Sequence, residues 1–172
     1  MSRRRTRESG NVALEFTLVG IPLMFVLISI INVSFTMMTM HTMQEGVEQG
    51  ARFVIGRGAG CAAHSNSCTT TIGTISDAMR LFDAGVDPRV LRVTLTTASG
   101  SSVSCNPLAS CHGNSTPWPP AANGDNQPGK DILISADYPC VSIIGMFWPG
   151  AGGGILFGQM TLHAYSRQRM TF

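Results

Sequence analysis

Residues 3–35 read RRRTRESGNVALEFTLVGIPLMFVLISIINVSF. Arg3, Arg4, Arg5 and Arg7 stand before an apolar run whose one charged side chain, Glu15, lies almost at its start. From Phe16 to Gln44 there is no Asp, Glu, Lys or Arg. A helix crosses a bilayer core with about 20 mostly apolar residues, so this segment is long enough to span, with turns to spare. The arginine cluster predicts that the N-terminal end stays in the cytoplasm and that the rest projects outward. A removed signal peptide is the competing reading, but its apolar core is usually about 7 to 15 residues. Here the run is longer and passes into SFTMMTMHTMQEGVEQGARFV (34–54) without a small-x-small exit. The reading retained is a permanent anchor.

The rest of the composition agrees. Charged residues make up 13% of the 172, against about 25% in an average soluble protein. The net charge is +2, yet residues 1–10 hold four positives and one negative, so the remainder stands at −1. Without a basic stripe interleaved with aromatics, nucleic acid is not an expected partner. All five cysteines, Cys61, Cys68, Cys105, Cys111 and Cys140, follow the apolar run. In an oxidising compartment Cys61–Cys68 and Cys105–Cys111 are plausible local bridges, leaving Cys140 over. Spacing alone leaves other connectivities open.

Pro22 falls inside the expected span, two residues after Gly20. It removes one backbone hydrogen bond, which membrane helices tolerate; the two readings are an ordinary bend and a weak point at which the helix yields on packing. Glu15 has two readings as well. An ionised carboxylate in hydrocarbon is costly and usually faces a partner or marks function; alternatively it snorkels at the cytoplasmic interface.

The residues around it narrow the choice. Gly10 closes the basic leader, Asn11-Val12-Ala13-Leu14 follow, and Glu15-Phe16 open the apolar helix. This resembles the processing site of type IV pilin-like proteins. The resemblance implies that a prepilin peptidase cuts after Gly10 and makes Asn11 the mature N-terminus. It also implies that Glu15 pairs with the N-terminal ammonium of a neighbouring subunit, since either charge buried alone is expensive. More narrowly, Glu15-Phe16, Pro22-Leu23, Glu45 and Gly50-Ala51-Arg52 resemble the TadE-like domain of tight-adherence (Flp) pilus systems. DILISADYPCVSIIGMF (131–147) and LFGQMTLHAYSRQRM (156–170) resemble the strands of such minor pseudopilins. The N-terminal likeness covers about residues 8–57; the middle, about 58–130, resembles nothing named. Compared with the family, the helix is rich in methionine (Met24, Met37, Met38, Met40, Met43), a side chain that fills irregular gaps.

Beyond the span, Met43, Val47, Ala51 and Val54 recur at helical spacing and predict an amphipathic stalk ending at Gly56, Gly58 and Gly60. Gly46 and Gly50 would admit close packing with a neighbour. A second helix is expected over about Thr70–Ala84, with Ile72, Ile75, Met79 and Phe82 on one face and Gly85 at its C-terminal cap. Leu91, Val93 and Leu95 alternate with polar residues and predict a strand over Val90–Thr97. A long loop follows at about 98–130, rich in Pro, Gly, Asn and Ser. In it Trp118 is either a partner contact or a side chain folded back on the sheet. Strands return at Ile132, Ile134 and Ala136, and at about Ile155–Arg167. The apolar stretch IIGMFWPGAGGGILF (143–157) reads equally as an interface, a membrane-surface loop or core.

Chemistry is scarce. Cys61, His64, Cys68, Cys111 and His112 match no standard zinc spacing. The chain has no nucleophile elbow, HExxH or phosphate loop, and Asp77, Asp83, Asp87, Asp125 and Asp137 are scattered, as solvated or capping residues would be. No catalytic residue, metal or cofactor is therefore expected. The expected fold class is α+β. A basic leader (1–10) precedes a transmembrane helix and stalk (11–57). The outer domain (58–172) has a small antiparallel sheet with one or two helices. The resemblance implies a non-catalytic minor pseudopilin in a bacterial inner membrane, N-terminus cytoplasmic and outer domain periplasmic. Its implied partners are the prepilin peptidase, other pilins or pseudopilins and pilus assembly proteins, with Glu15, Phe16 and Pro22 as assembly residues. The alternative is an unprocessed, membrane-anchored periplasmic adaptor.

Overall fold

The computed structural model describes residues 5–59, 61, 68, 70–80, 85–141 and 159–171. A single helix dominates it. α1 runs from Arg5 to Ile55, 51 residues, or about 76 Å at 1.5 Å per residue. It passes through Pro22 and begins before Gly10, so the basic leader is in part the helix's own first turns. Arg and Glu are good helix formers, and nothing from Arg5 to Gly10 breaks a helix as Pro would.

The two parts of α1 have different surroundings. Residues 13–42 lie at the surface or half-buried, with a long series of apolar side chains outward, whereas Met43, Val47, Ala51 and Val54 are buried in the core. These are the four residues whose spacing predicts an apolar face. The expected stalk is covered by the chain's own domain, because α1 lies across the last two strands and beside a second helix. The end of α1 is closed by Arg57 and by the tail. Arg57 Nη1 donates to Phe53 O (3.2 Å), its guanidinium sits 3.7 Å from the Phe53 ring centroid, and Thr171 Oγ1 donates to Ile55 O (3.3 Å).

α2 spans Ile72–Arg80 and buries Ile72, Gly73, Ile75, Ser76 and Met79; Phe82, expected on the same face, lies outside the described residues. Its start is capped reciprocally: Thr74 N donates to Thr71 Oγ1 (3.2 Å) and Thr71 N to Thr74 Oγ1 (2.9 Å), a capping-box arrangement. Ile72 N and Gly73 N, which an isolated helix would leave without partners, donate to Thr116 O (3.0 Å) and Asn114 O (2.9 Å).

Four strands, β1 (Arg92–Thr97), β2 (Ser102–Cys105), β3 (Asp131–Val141) and β4 (Gln159–Arg169), form one antiparallel sheet in the order β2-β1-β3-β4. The architecture is α+β, as expected. Val93, Leu95, Ile132, Ile134, Ala136, Leu162 and Ala164 join the helix residues in one core.

β2 is a correction to the sequence reading, which has a loop from about 98. Its four residues, SVSC, include a single β-branched side chain, so propensity does not reveal it. The turn makes it: Thr97 N donates to Ser101 O (2.9 Å), Gly100 N to Thr97 O (3.0 Å), and Gly100 takes φ +85°. The remaining loop is folded onto the core, with Leu108 and Trp118 buried. Trp118 N donates to Thr70 O (3.0 Å) and Thr70 Oγ1 to Trp118 O (2.7 Å). Of the two readings for Trp118, the structure takes the inward one. Cys61–Cys68 and Cys105–Cys111 stand as disulfides, with Cα separations of 5.5 and 5.6 Å, and Cys140 is unbridged. The apolar stretch 143–157 lies outside the described residues.

Candidate functional site

The feature that sets this molecule apart from a soluble α+β domain is the exposed half of α1. Phe16 is 77% exposed, and Leu18, Ile21, Leu23, Phe25, Ile30 and Phe35 are likewise outward. The segment beginning at Ala13 is long and apolar enough to cross a membrane, and none of its most apolar stretch is buried within the domain. Lipid would cover apolar area that water would otherwise meet, at about 25 cal/mol per Å².

Polar groups on the segment are prepared for such surroundings. Every Ser and Thr between residues 13 and 42 donates to a carbonyl one turn back on its own helix. Thr17 bonds Leu14 O, Ser29 Phe25 O, Ser34 Ile30 O, Thr36 Asn32 O, Thr39 Phe35 O and Thr42 Met38 O, at 2.8–3.0 Å. No hydroxyl proton is left pointing at hydrocarbon, where an unmade hydrogen bond costs several kcal/mol.

Gly10 and Asn11 lie within the helical backbone, Glu15 and Phe16 project from the surface a turn further on, and Pro22 sits mid-helix. Lacking an N–H, Pro22 removes the helical donor for the Leu18 carbonyl. Gly20 leaves a notch that the Phe16 ring flanks, 3.7 Å from where a Cβ would stand. Phe16, Thr17, Gly20, Ile21, Met24, Phe25 and Ile28 line a shallow apolar groove along this side. The structure thus brings Phe16 together with Gly20.

The Gly50-Ala51-Arg52 stretch has a different task. A Cβ on Gly50 would lie 2.8 Å from Met79 Cγ, so the neighbour that glycine admits is the chain's own α2. Ala51 is wholly buried, and Arg52 is exposed and paired with Glu48 one turn back. Sequence reasoning had the close approach but not its partner, which lies 29 positions away at Met79.

Among the scattered aspartates, Asp77 pairs with His112, Asp137 with His163, and Asp87 Oδ1 accepts from Arg89 N. Asp125 departs from the expectation of a solvated group: it is 1% exposed. It accepts hydrogen bonds from Ser99 N (3.1 Å) and from Ser99 Oγ, tying the β1–β2 turn to the loop before β3. Burial pushes its carboxyl upward, but the Ser99 and Thr97 hydroxyls, the Ser99 amide and the Lys130 charge outweigh that and hold it below the ordinary value. Among the described residues no three His, Cys, Asp or Glu side chains converge as metal ligands would.

No curated protein and no solved structure matches the chain. A family model does: the one described as TadE-like protein matches residues 10–52. That interval holds both the exposed apolar segment and most of the core-facing stripe, and it associates the chain with the Tad pilus system. Over residues 10–52, which carry that surface, the chain is similar to TadE-like proteins.

Proposed function

We propose that the protein is a non-catalytic minor pseudopilin that takes part in assembling a tight-adherence pilus. The observation that carries this reading is the division of α1. One helix presents an exposed apolar face over residues 13–42 and a core face from Met43 to Val54, and the TadE-like match covers the first and most of the second. A rigid connection follows, because a continuous helix cannot turn one half without the other.

In this reading α1 crosses the inner membrane with its arginine end in the cytoplasm and holds the α+β domain in the periplasm, where its two disulfides persist. A prepilin peptidase removes residues 1–10. Since Gly10 lies in a helical turn, cutting requires that turn to open, which glycine's poor helix propensity eases. Glu15, now the fifth residue of the processed chain, meets the ammonium of a neighbouring subunit, and Phe16 and Pro22 shape the face against which other pilins or pseudopilins pack.

Mass measurement of the membrane-extracted protein tests processing. Loss of residues 1–10 in cells with the peptidase, and retention without it, is expected. An intact leader under both conditions overturns the reading in favour of an unprocessed periplasmic adaptor.

A further inference from the structure

Two contacts fix the height of the sheet against α1. A Cβ on Gly50 would lie 3.8 Å from Ile134 Cδ1. Two residues along β3, Ala136 lines a small cavity with Thr42, Met43, Gly46 and Val47. β3 therefore descends as α1 rises, and each residue toward Val141 is a step back toward the N-terminal half of the helix. At the opposite end, Thr171 beside Ile55 O marks the far tip. β3 and β4 remain paired throughout, from Asp131–Arg169 to Val141–Gln159.

The fully buried core stops near Met43, with Tyr138 and Cys140 half-buried against its edge, but the hairpin continues. From Ala136 to Val141 the strand covers about 17 Å, the rise of about 11 helical residues. Counted down from Met43–Gly46, its end stands beside residues near 33–35, or a few higher where strand and helix are inclined. The charge-free run Phe16–Gln44 is about 43 Å long, against a hydrocarbon core of about 30 Å. With hydrocarbon beginning near Phe16, about 20 residues bring its outer boundary to the neighbourhood of Phe35. The hairpin's end and the outer membrane surface share one height.

The side chains suit that level. Met160 pairs with Cys140 and lies on the same sheet face as Leu162 and Ala164, yet it is 55% exposed while they are buried. Pro139 is exposed as well. The ion pair nearest the end on these strands, Asp137–His163, sits four residues above Val141, about 13 Å higher. Between the two strands the sequence 142–158, outside the described residues, contains no Asp, Glu, Lys, Arg or His.

We propose that the end of this hairpin, Pro139–Val141 with Gln159–Met160, rests on the outer surface of the bilayer that α1 crosses. The ligand is the phospholipid interface itself, and the inference rests on reading α1 as a span. Two points of contact would fix the tilt of the outer domain, where one helix alone leaves it free to lean.

The test uses the full chain in phosphatidylcholine–phosphatidylglycerol vesicles containing spin-labelled lipids, in a Cys140→Ser background. An environment-sensitive fluorophore is placed singly at Met160→Cys, at Gln127→Cys near the far tip, or at Phe25→Cys in the span. Met160 and Gln127 are exposed, so neither substitution disturbs packing; unchanged circular dichroism verifies this. Shallow spin labels are expected to quench the Met160 probe several-fold more than the Gln127 probe, and deep labels to quench the Phe25 probe. A Met160 probe quenched no more than Gln127, with Phe25 still quenched, overturns the hairpin contact alone, and crosslinking of Met160→Cys to another subunit would then assign this end to protein. No quenching at Phe25 removes the span and the hairpin contact together.

Discussion

Gly73→Ala isolates what holds α2 against the rest of the domain. The new Cβ would lie 2.8 Å from Asn114 O, 2.9 Å from Asn114 N and 3.2 Å from Gly113 N. These are backbone atoms, and the segment cannot simply withdraw. Gly73 N bonds Asn114 O, Ile72 N bonds Thr116 O, Trp118 N bonds Thr70 O, and Cys111 upstream is bridged to Cys105. Overpacking of this kind costs about 1–3 kcal/mol, and losing one or two of these hydrogen bonds adds about 1 kcal/mol each. Alanine's better helix propensity returns about 1 kcal/mol. The net expectation is a loss of about 1–4 kcal/mol, or a urea midpoint lower by about 0.5–2 M. Gly50→Ala is the internal control. Its Cβ meets Met79 Cγ and Sδ, side-chain atoms of an unbranched residue rather than backbone, so its loss should be smaller. Urea titration of the detergent-solubilised chain, followed by tryptophan fluorescence, measures both. A Gly73→Ala midpoint at or above that of the unsubstituted chain, or a larger fall for Gly50→Ala, refutes the reasoning.

Asp125 makes stability acid-sensitive. Its folded carboxyl sits below the ordinary value, so its contribution is full above about pH 4, near the unfolded pKa, and is lost as pH falls through the folded one. Asp125→Asn should lower stability by about 1–3 kcal/mol near neutral pH and converge on the parent in acid; a gap that does not change with pH contradicts this. Replacing Cys105 and Cys111 together by Ser should cost about 2 kcal/mol for so short a loop, read as a denaturation midpoint that reductant no longer lowers through this bridge; an unaltered midpoint argues against the bridge. Glu15→Ala should leave membrane insertion intact but abolish or strongly reduce piliation, scored by carbonate extraction and electron microscopy. Normal pili from that variant would remove the role proposed for Glu15.

Much of the fold was legible because it depends on local pattern. The apolar run after Arg7 specifies a helix by composition, and Met43-Val47-Ala51-Val54 specify its buried face by spacing alone. Leu91-Val93-Leu95 and Ile132-Ile134-Ala136 specify strands by alternation. The cysteine pairs, six and seven residues apart, made local bridges plausible, but spacing left the connectivity open and the structure supplied it.

What required the tertiary structure was every feature depending on a partner distant in the chain. β2 exists because Ser102–Cys105 find β1 across a turn, not because their residues favour strand. Gly50 is small for Met79, Gly73 for the backbone at Asn114, and Asp125 is ionised in a buried place because Ser99 and Thr97 reach it. The meaning of the Met43–Val54 stripe was settled the same way: periodicity says that one face is covered, and only packing says by what. The apolar sequence of α1 determined that the helix forms, since its hydrogen bonds are internal. Where along its length solvent gives way to protein was decided by the sheet laid against it.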